Sequence, residues 1–336
     1  MKKILKKNIP VSLQKVLLYV RAYNRAIFST DKELFLKGYE EKCYKKIAIC
    51  IGFIPWKQEY MKEYLNRYHL FFTDHYTPSW KLIQLIESLK QDYDVFVWSF
   101  KETEKLSRYF LKNNKNITRV EDGFIRSIGL GLHKTKPLSL TFDSRGIYFD
   151  SSTESDLNYI LKTNAIHYTD EQLEESKKLI NTITTKGISK YNFPKKDENI
   201  EYKIENKKVV LVVGQVEDDM SIKYGCSRSI TNLDLIQNVR EENKDVFIIY
   251  KPHPDTLTGI RKAKSTMQQW KEYVNEVDTT HRLDSLIKYS EHIYTITSLS
   301  GFEALMYGKK VTCFGSPFYS GWGLTDDRDI RDEKVT

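Results

Sequence analysis

Four short segments of the sequence combine charged and small residues in ways that could support chemistry. The first, residues 214–221, follows an apolar run and contains Gln215, Ser221 and three consecutive carboxylates ending at Asp219. Adjacent like charges raise one another's pKa, so holding them together costs free energy. Such a run occurs at metal sites, at acid–base sites and on solvated surface loops, and the local sequence is compatible with all three.

The second segment, residues 250–254, places His253 between two prolines and close to Lys251. Because proline fixes the backbone, the histidine is held in a stiff segment. It could hold a phosphate or protonate a leaving group, and a proline-shaped turn with a surface histidine is the alternative. Since this loop supplies a lysine and a histidine rather than a cage of oxygen atoms, we expect no metal.

The third segment, residues 298–305, follows an apolar run and opens a helical pattern with Ser298, Ser300, Gly301 and Glu303. Exposed N–H groups at a helix start attract phosphate, and a glycine lets a ligand approach the backbone closely. Glu303 could then accept hydrogen bonds from ribose hydroxyls. The spacing Ser300-x-x-Glu303 is also that of a capping box, which needs no ligand, and the two functions are compatible.

The fourth segment, residues 121–127, begins with Glu121 and Asp122 and contains Arg126. An acid, a glycine and an arginine together could bind a sugar acceptor, with Glu121 or Asp122 taking the proton of its hydroxyl. The alternative is an Asp-Gly turn with a local ion pair.

Apolar runs that alternate with helical patterns must position these segments. Strands are predicted at residues 47–53, 94–100, 117–120, 208–213, 246–250, 293–297 and 310–314, and helices at 80–89, 232–243, 265–275, 284–290 and 302–307. Residues 138–142 and 147–150 flank turn residues and predict a β-hairpin, and the polar stretch 186–206 is the predicted linker. The alternation indicates an α/β fold with parallel sheets, whose ligands bind outside the carboxyl ends of the strands.

Composition narrows the class of protein. The chain has 336 residues, 40% of them hydrophobic and 29% charged, which suits a globular protein of two domains. The net charge is +8, and the first acid, Asp31, follows seven basic residues, so an acidic partner is expected. No RNA- or DNA-binding signature occurs, so we expect no nucleic acid. The four cysteines lack the short spacings of a zinc site or a disulfide framework.

The sequence contains no apolar run long enough to span a membrane and no secretory signal, so we expect a cytoplasmic protein. Residues 11–28 place apolar side chains at helical spacing within a basic stretch. This segment is either a helix that lies on the inner membrane, which would make the protein peripheral there, or a helix that packs on the protein's own surface.

Several ordered motifs resemble a known family. They are VEDGFIRSIGLG (residues 120–131), PLSLTFDSRGIYFD (137–150), SKYN (189–192), VGQVEDDMSI (213–222), YKPHPD (250–255), TSLSGFEAL (297–305) and GSPFYSGWGLT (315–325). Together they are similar to the bacterial capsule β-Kdo transferases of the KpsC type, and most similar to the second of the two transferase modules in that family. The resemblance covers residues 117 to 325.

The resemblance implies two Rossmann-like lobes in a GT-B-like arrangement. Combined with the basic N-terminus and the predicted linker, it leads us to divide the chain into a basic helical segment (1–44), an acceptor-side lobe (45–205) and a CMP-sugar-binding lobe (206–336). The implied activity is transfer of the sugar acid Kdo from CMP-β-Kdo to a Kdo-terminated glycolipid or surface glycan in capsule or lipopolysaccharide biosynthesis. Retention of configuration requires a carboxylate on the face of the sugar opposite the leaving group.

The family motifs map onto particular residues. Asp219 matches the nucleophile, and His253 assists departure of CMP. Glu121 and Asp122 match the acceptor-side acids, with Arg126 also binding the acceptor. Residues expected to bind the donor are Gln215, Ser221, Lys251, His253, Ser298, Ser300, Gly301 and Glu303. No cofactor or metal is expected beside the CMP-Kdo substrate.

The chain departs from the family pattern in two ways. It has one module where a KpsC-type protein has two, and its last residues, 326–336, form a charged stretch without the final helix usual in GT-B folds. We therefore expect a truncated chain or one module of a larger protein. Two alternative functions stay open: transfer of another CMP-activated nonulosonate such as sialic acid, and non-catalytic glycan binding in capsule assembly.

Overall fold

A computed structural model describes residues 46–73, 76–89, 91–129, 134–164, 168–192, 199–259 and 261–329. The chain separates into two compact units, the first ending at Glu121 and the second beginning at Asp122. The amphipathic helix predicted at residues 11–28 lies outside the described residues. In the part of the chain that the structure describes, no helix is both long enough and apolar enough to cross a membrane.

The first unit contains four parallel strands in the order β2-β1-β3-β4. The strands are β1 (Lys46–Ile51), β2 (Tyr68–Phe72), β3 (Tyr93–Trp98) and β4 (Ile117–Asp122), and the helices are α1 (Pro55–Tyr64), α2 (Ser79–Glu87) and α3 (Glu104–Lys112). Apolar residues of β1 and β3 pack against α2 and α3 in one core. The predictions for β1, β3, β4 and α2 are confirmed at nearly the same residues.

The second unit is built on six parallel strands in the order β11-β10-β9-β6-β7-β8. These are β6 (Val209–Val213), β7 (Phe247–Lys251), β8 (Glu276–Val277), β9 (His292–Thr295), β10 (Lys310–Cys313) and β11 (Asp326–Asp327), while β5 (Leu140–Asp143) precedes them. Numbered from β6, this is the Rossmann order, in which the direction of strand addition reverses between β6 and β9. That reversal defines where a ligand is expected.

Helices cover both faces of this sheet. The helices of the second unit are α4 (Asp156–Asn164), α5 (Asp170–Lys186), α6 (Met220–Gly225), α7 (Asn232–Glu242), α8 (Pro254–Leu257), α9 (Met267–Lys271), α10 (Leu283–Tyr289) and α11 (Leu299–Met306). Side chains alternate along β6: Val210 and Val212 belong to one core, whereas Val209, Leu211 and Val213 belong to the other. Burial on both faces explains why this strand is wholly apolar.

The boundary between the units differs from the predicted boundary at residue 205. Phe124 stacks on Phe318 with ring centroids 4.9 Å apart, and Arg282 donates a hydrogen bond of 2.9 Å to the Gly187 carbonyl. These contacts pack residues that follow β4 into the core of the second unit. Contacts between the described residues divide the chain at residues 121 and 122, whereas the polar composition of the stretch 186–206 predicted the division there.

The predicted hairpin at residues 138–150 is wrong, because only its first half is a strand. The Asp143 carboxylate accepts hydrogen bonds from the backbone N–H groups of Arg145 at 3.1 Å and Gly146 at 2.8 Å. It also accepts from the N–H of Asp156, at the start of α4. An Asp side chain that binds the backbone ahead of it folds the chain into a local turn, which leads to a helix instead of a second strand.

Candidate functional site

Three of the four segments lie at the carboxyl ends of neighbouring strands in the second unit. Residues 214–221 follow β6, residues 252–254 follow β7 and residues 296–300 follow β9. Gln215 and Thr297, both buried, are joined at the reversal point. Thr297 N donates to Gln215 Oε1 at 2.7 Å, and Gln215 Nε2 donates to Thr297 Oγ1 at 3.1 Å.

The acidic run separates into three different environments. Glu217 is buried and accepts hydrogen bonds from the N–H groups of Asn232 at 2.8 Å and Lys264 at 2.7 Å. Asp218 is exposed and pairs with Arg261 at 2.7 Å. Only Asp219 combines exposure with a position at the start of a helix. The cost of like charges is thus avoided by directing the first two carboxylates to separate partners.

Asp219 is the N-cap of α6. Its Oδ1 accepts a hydrogen bond from Ser221 N at 2.8 Å, which fixes the side chain. Among the described residues, Oδ2 makes no hydrogen bond. Ser221 Oγ lies 3.4 Å from Gln215 Nε2 and 3.3 Å from Thr297 Oγ1, so the cap is tied to the Gln215–Thr297 pair. The arrangement presents one carboxylate oxygen from a rigid helix start.

His253 is the N-cap of α8, and its Nδ1 accepts a hydrogen bond from Asp255 N at 3.1 Å. Nδ1 therefore carries no proton, and the neutral ring presents Nε2–H as a donor. Burial lowers the pKa of His253, and the positive charges of Lys190 and Arg261 act in the same direction, while Asp255 and Asp219 oppose them. His253 is thus a neutral hydrogen-bond donor close to Asp219.

Lys251, which was expected to bind the donor, forms an ion pair within the protein. Its Nζ lies 3.0 Å from Asp278 Oδ1 and 2.5 Å from the His281 carbonyl oxygen. Burial opposes ionisation of Asp278, but hydrogen bonds from Tyr202 and His281 and the charge of Lys251 outweigh it and lower its pKa to about 2. The charge of Lys251 is therefore compensated inside the protein.

The capping box predicted at Ser300 and Glu303 is wrong, because the helix begins two residues earlier. Ser298 is the N-cap of α11, and its Oγ accepts from Ser300 N at 3.2 Å. Ser300 and Glu303 consequently lie inside the helix. The prediction chose the wrong serine, because Ser298 has the same side chain as Ser300 and the extended backbone that an N-cap requires.

Glu303 is turned into the protein instead of outwards. Its Oε1 accepts a hydrogen bond from Lys190 N at 2.8 Å, and only 6% of the residue is exposed. Burial raises the pKa of Glu303 to about 7, which the Lys190 N–H and the Lys190 charge partly oppose. At least one of the two Glu303 carboxylate oxygens that were expected to bind ribose is therefore already bonded to the protein backbone.

Gly301 is required by packing within the protein. A Cβ at this position would lie 2.2 Å from the hydroxyl oxygen of Tyr319. That hydroxyl donates a hydrogen bond to the Ser298 carbonyl. Tyr319 occupies the space that the glycine leaves. The group that approaches the Gly301 backbone closely is therefore the Tyr319 side chain, whereas a ligand was predicted there.

The acceptor-side acids end β4, with Glu121 closing the first unit and Asp122 opening the second. Arg126 Nε lies 2.7 Å from Asp122 Oδ2, and the arginine is only 1% exposed. Its Nη1 also donates to Ser127 Oγ at 2.7 Å and to the Thr135 carbonyl at 3.2 Å. A side chain with so little surface has no room for a glycan, so Arg126 supports Asp122 instead of contacting the acceptor.

Sequence reasoning did not select Thr297, Asn232, Lys190 or Arg261, which all belong to this neighbourhood. Asn232 exchanges two hydrogen bonds with the backbone of Gln215, at 2.9 and 2.8 Å. Thr297 and Lys190 lie inside the motifs TSLSGFEAL and SKYN, so membership of these motifs could have identified them. Arg261 and Asn232 lie outside every motif that the sequence offered.

Comparison with known proteins places these motifs in a family. The model of the capsule polysaccharide biosynthesis protein family matches residues 93–336, which is most of the chain and includes every segment described above. The chain belongs to this capsule family. The resemblance to KpsC-type transferases is thereby confirmed.

Two relatives have similar sequences. The lipopolysaccharide-processing protein LpsZ of Rhizobium meliloti is 38% identical over 284 residues, which cover 84% of this chain and 64% of LpsZ. The capsule polysaccharide modification protein LipA of Neisseria meningitidis serogroup B is 38% identical over 286 residues, covering 83% of this chain and 38% of LipA. The chain therefore spans only part of the length of these relatives.

Two solved structures of KpsC from Thermosulfurimonas dismutans share the fold. The β-Kdo 2,7 transferase is 31% identical, with a TM-score of 0.66 and coverage of 87% of both chains. The β-Kdo 2,4 transferase is 28% identical, with a TM-score of 0.72, and the match covers 87% of this chain and 88% of that one. The predicted fold class, α/β with two Rossmann-like lobes of GT-B type, is confirmed.

Proposed function

We propose that this chain is a retaining glycosyltransferase that transfers Kdo from CMP-β-Kdo to a Kdo-terminated glycolipid or surface glycan. Capsule or lipopolysaccharide biosynthesis is the process in which we place it. Support comes from membership of the capsule family and from similarity to KpsC chains described as β-Kdo 2,7 and 2,4 transferases.

The observation that carries this proposal is the placement of Asp219 and His253 at one sheet edge. Asp219 caps a helix beside the reversal point between β6 and β9, and its negative charge acts on the pKa of His253. Both side chains are held by backbone hydrogen bonds, so neither must be ordered when a substrate binds. A nucleophile and a donor to the leaving group are what such a transfer requires.

In the proposed reaction, an oxygen of the Asp219 carboxylate attacks the anomeric carbon as the bond to the CMP phosphate oxygen breaks. The leaving phosphate gains negative charge, which His253 stabilises through its Nε2–H. In the second step the acceptor hydroxyl attacks the same carbon and displaces Asp219, while Glu121 or Asp122 takes the hydroxyl proton. Two displacements retain the configuration of the sugar.

His253 acts in this proposal as a hydrogen-bond donor instead of a general acid. Because Nδ1 accepts from the Asp255 N–H, loss of the Nε2 proton would leave an imidazolate, which is inaccessible near neutral pH. The lowered pKa favours the same neutral form. A fixed hydrogen-bond donor stabilises the leaving phosphate without a proton transfer, and such a donor commonly lowers the activation free energy by about 3 kcal/mol.

We propose roles for the remaining residues of the donor site. Gln215, Ser221, Ser298 and Ser300 shape the donor site, and the positive end of the α11 dipole favours a phosphate there. Lys251, Gly301 and Arg126 support the site through their protein partners. We propose that the reaction needs no metal or cofactor and that the basic N-terminus brings the protein to the cytoplasmic face of the inner membrane.

A donor comparison tests the proposal. The purified chain is incubated with a Kdo-terminated acceptor and either CMP-Kdo or CMP-sialic acid, and released CMP is measured together with product linkage. We expect CMP release and a new Kdo linkage with CMP-Kdo alone. Turnover of CMP-sialic acid in preference to CMP-Kdo would reassign the donor, and acceptor binding without release of CMP from either donor would indicate a glycan-binding module.

A further inference from the structure

The sheet of the first unit has a reversal point of its own. Its strands are added from β1 first to β2 and then, on the other side, to β3 and β4, so the direction of addition reverses between β1 and β3. Open α/β sheets bind ligands outside the carboxyl ends of the strands at such a point. Residues 52–57, which follow β1 and begin α1, and residues 99–103, which follow β3, are therefore candidates for a binding site.

These two segments are in contact with each other. A Cβ on Gly52 would overlap the Cβ and Cγ atoms of Lys101, so the stem of this lysine lies against the Gly52 backbone. The Lys57 ammonium lies 2.9 Å from the centroid of the Trp98 ring, at the end of β3. Because the face of an indole ring attracts a cation, the ring holds the ammonium there. Both lysines are thus attached to the carboxyl edge of β1 and β3.

Ser99 combines two unfavourable features at the same edge. Its φ is +51°, in the left-handed region that residues other than glycine rarely adopt. The neighbouring strand holds this backbone, because Ser99 N donates to the Val120 carbonyl at 2.9 Å and the Ser99 carbonyl accepts from Arg119 Nη1 at 2.8 Å. Ser99 Oγ is buried, and no group among the described residues forms a hydrogen bond with it. A buried hydroxyl without a partner costs free energy.

The packing of the first unit does not explain why this residue is a serine. Glycine adopts a positive φ without strain, as Gly52 does with a φ of +81° at the corresponding end of β1. Strained backbone occurs preferentially at ligand-binding and active sites, and a buried polar group without a partner calls for a specific explanation. Both features fall on one residue at the reversal point, and a ligand that bonds the Ser99 hydroxyl accounts for them together.

The charges at this edge favour an anion. Residues 52–57 contain no acid, and residues 99–103 contain only Glu102. Both oxygens of Glu102 accept hydrogen bonds from Arg119, at 2.8 and 3.2 Å, so this carboxylate is directed to β4. Lys101 is exposed. Two ammonium groups and a hydroxyl donor at one edge are suited to bind a carboxylate.

The position of Ser99 connects this edge to the acceptor. The Val120 carbonyl, which accepts from Ser99 N, immediately precedes Glu121 in β4. In the proposed reaction Glu121 is one of the two acids that could take the proton of the acceptor hydroxyl. The terminal sugar of a Kdo-terminated acceptor is a sugar acid, and it therefore carries the kind of anion that this edge is suited to bind.

We propose that the carboxyl edge of β1 and β3 binds the carboxylate of the acceptor's terminal sugar acid. Lys57 and Lys101 supply the positive charge, and the Ser99 hydroxyl, turned towards the ligand by rotation about χ1, donates a hydrogen bond. The identity of the ligand rests on the proposed function, whereas the site rests on contacts within the first unit. A bound carboxylate supplies the partner that Ser99 Oγ lacks.

Calorimetry without donor tests the lysines. The ligands are a Kdo-terminated oligosaccharide and the same oligosaccharide with the terminal carboxylate converted to an amide. The proteins are wild type, Lys57→Met, Lys101→Met and the control Lys105→Met, which removes a charge from an exposed position of α3. We expect Lys57→Met and Lys101→Met each to raise the Kd for the acid about tenfold, with weak binding of the amide to every protein. Equal Kd values for the Lys101 and Lys105 variants overturn the site, and so does a wild type that binds acid and amide alike.

Ser99→Gly separates a role in binding from a role in folding. Glycine relieves the strained φ and removes the buried hydroxyl, so we expect a Tm at or above that of wild type and a Kd for the acid raised about three- to tenfold. Ser99→Ala removes the hydroxyl but keeps the strain, and should lose the same affinity with a lower Tm than Ser99→Gly. Normal affinity in Ser99→Gly, or a joint loss of affinity and Tm, overturns the role of the hydroxyl.

CMP release from CMP-Kdo, measured with the same proteins, separates this inference from the proposed function. Transfer by wild type with an unchanged acceptor KM in Lys101→Met contradicts the inference alone. Carboxylate-dependent binding that Lys101→Met weakens, without any CMP release by wild type, contradicts the proposed function and supports the site. A wild type that neither binds the acid nor releases CMP contradicts both.

Discussion

Gln215 and Thr297 are joined by a pair of hydrogen bonds, 2.7 and 3.1 Å long, between the loops that follow β6 and β9. The pair lies at the point where the strand order of the second unit reverses, and open α/β sheets bind ligands at such a point. Both residues also contact Ser221, whose N–H fixes Asp219. The proposed nucleophile is thus held by the same contacts that connect the two loops.

Replacing Gln215 with Leu should destabilise the protein. The Thr297 N–H would stay buried without its partner, which costs about 2 kcal/mol in the free energy of unfolding, whereas the Thr297 hydroxyl keeps its contact with Ser221. Urea denaturation measures this cost. Gln84→Leu, at an exposed position of α2, is the control and should change the free energy little. Equal values for the two variants would contradict the role given to Gln215.

The neutral state of His253 predicts a particular pH dependence. Because its pKa is lowered, His253 stays neutral from pH 6.5 to 8.5, and kcat/KM should not fall with rising pH through loss of a histidine proton. Gln at this position retains an N–H donor, so we expect a loss of about tenfold, against 10²- to 10³-fold for Ala. An alkaline decline of kcat/KM in wild type that disappears in His253→Gln would show that His253 is a general acid.

The ion pair between Arg126 and Asp122 should contribute to stability. Arg126→Met leaves Asp122 without its buried cation, and we expect the free energy of unfolding to fall by about 3 kcal/mol. Arg108→Met breaks an exposed pair with Glu104 on α3 and should cost less than about 1 kcal/mol. If both variants lose similarly little free energy of unfolding and only Arg126→Met raises the KM for the acceptor, Arg126 binds the acceptor.

Glu303 should make stability depend on pH in a defined direction. Its pKa rises from 4.5 in the unfolded chain to about 7 in the folded protein, so the folded state holds the proton more tightly. The associated stability is complete below pH 4.5 and is lost as pH rises through 7, by up to about 3 kcal/mol.

Denaturation of wild type and Glu303→Gln between pH 4.5 and 8 measures this contribution as the difference between the two curves. Glu291→Gln, at an exposed position, is the control. Curves for wild type and Glu303→Gln that stay parallel over the range would show that Glu303 ionises normally.

The strands were predictable because burial leaves a direct trace in the sequence. The run VVLVV of β6 is buried on both faces, so it is apolar throughout and needs no partner to be recognised. β2 was missed because its residues are only partly buried, and α5 was missed because it is polar on nearly every face, with Ile183 as its buried residue.

Site residues were less predictable where their partners are distant in the sequence. Asp278 lies 27 residues after Lys251, and Lys190 lies 113 residues before Glu303, so no local pattern reveals either contact. The spacing of Ser300 and Glu303 matched that of a capping box, but the helix is capped by Ser298. Three of the four predicted segments lie at one edge of the sheet of the second unit, while tertiary packing decided which of their side chains are buried against protein partners.

The central claim, that Asp219 attacks the anomeric carbon, is tested most directly by mass spectrometry of the intact protein. Wild type and Asp219→Asn are incubated with CMP-Kdo without acceptor and then digested. Asn also caps helices well, so the variant should keep its stability. We predict a mass increase of one Kdo residue in wild type, located on Asp219, and none in the variant. An adduct on another carboxylate, or turnover in Asp219→Asn above about a tenth of wild type, would contradict the account.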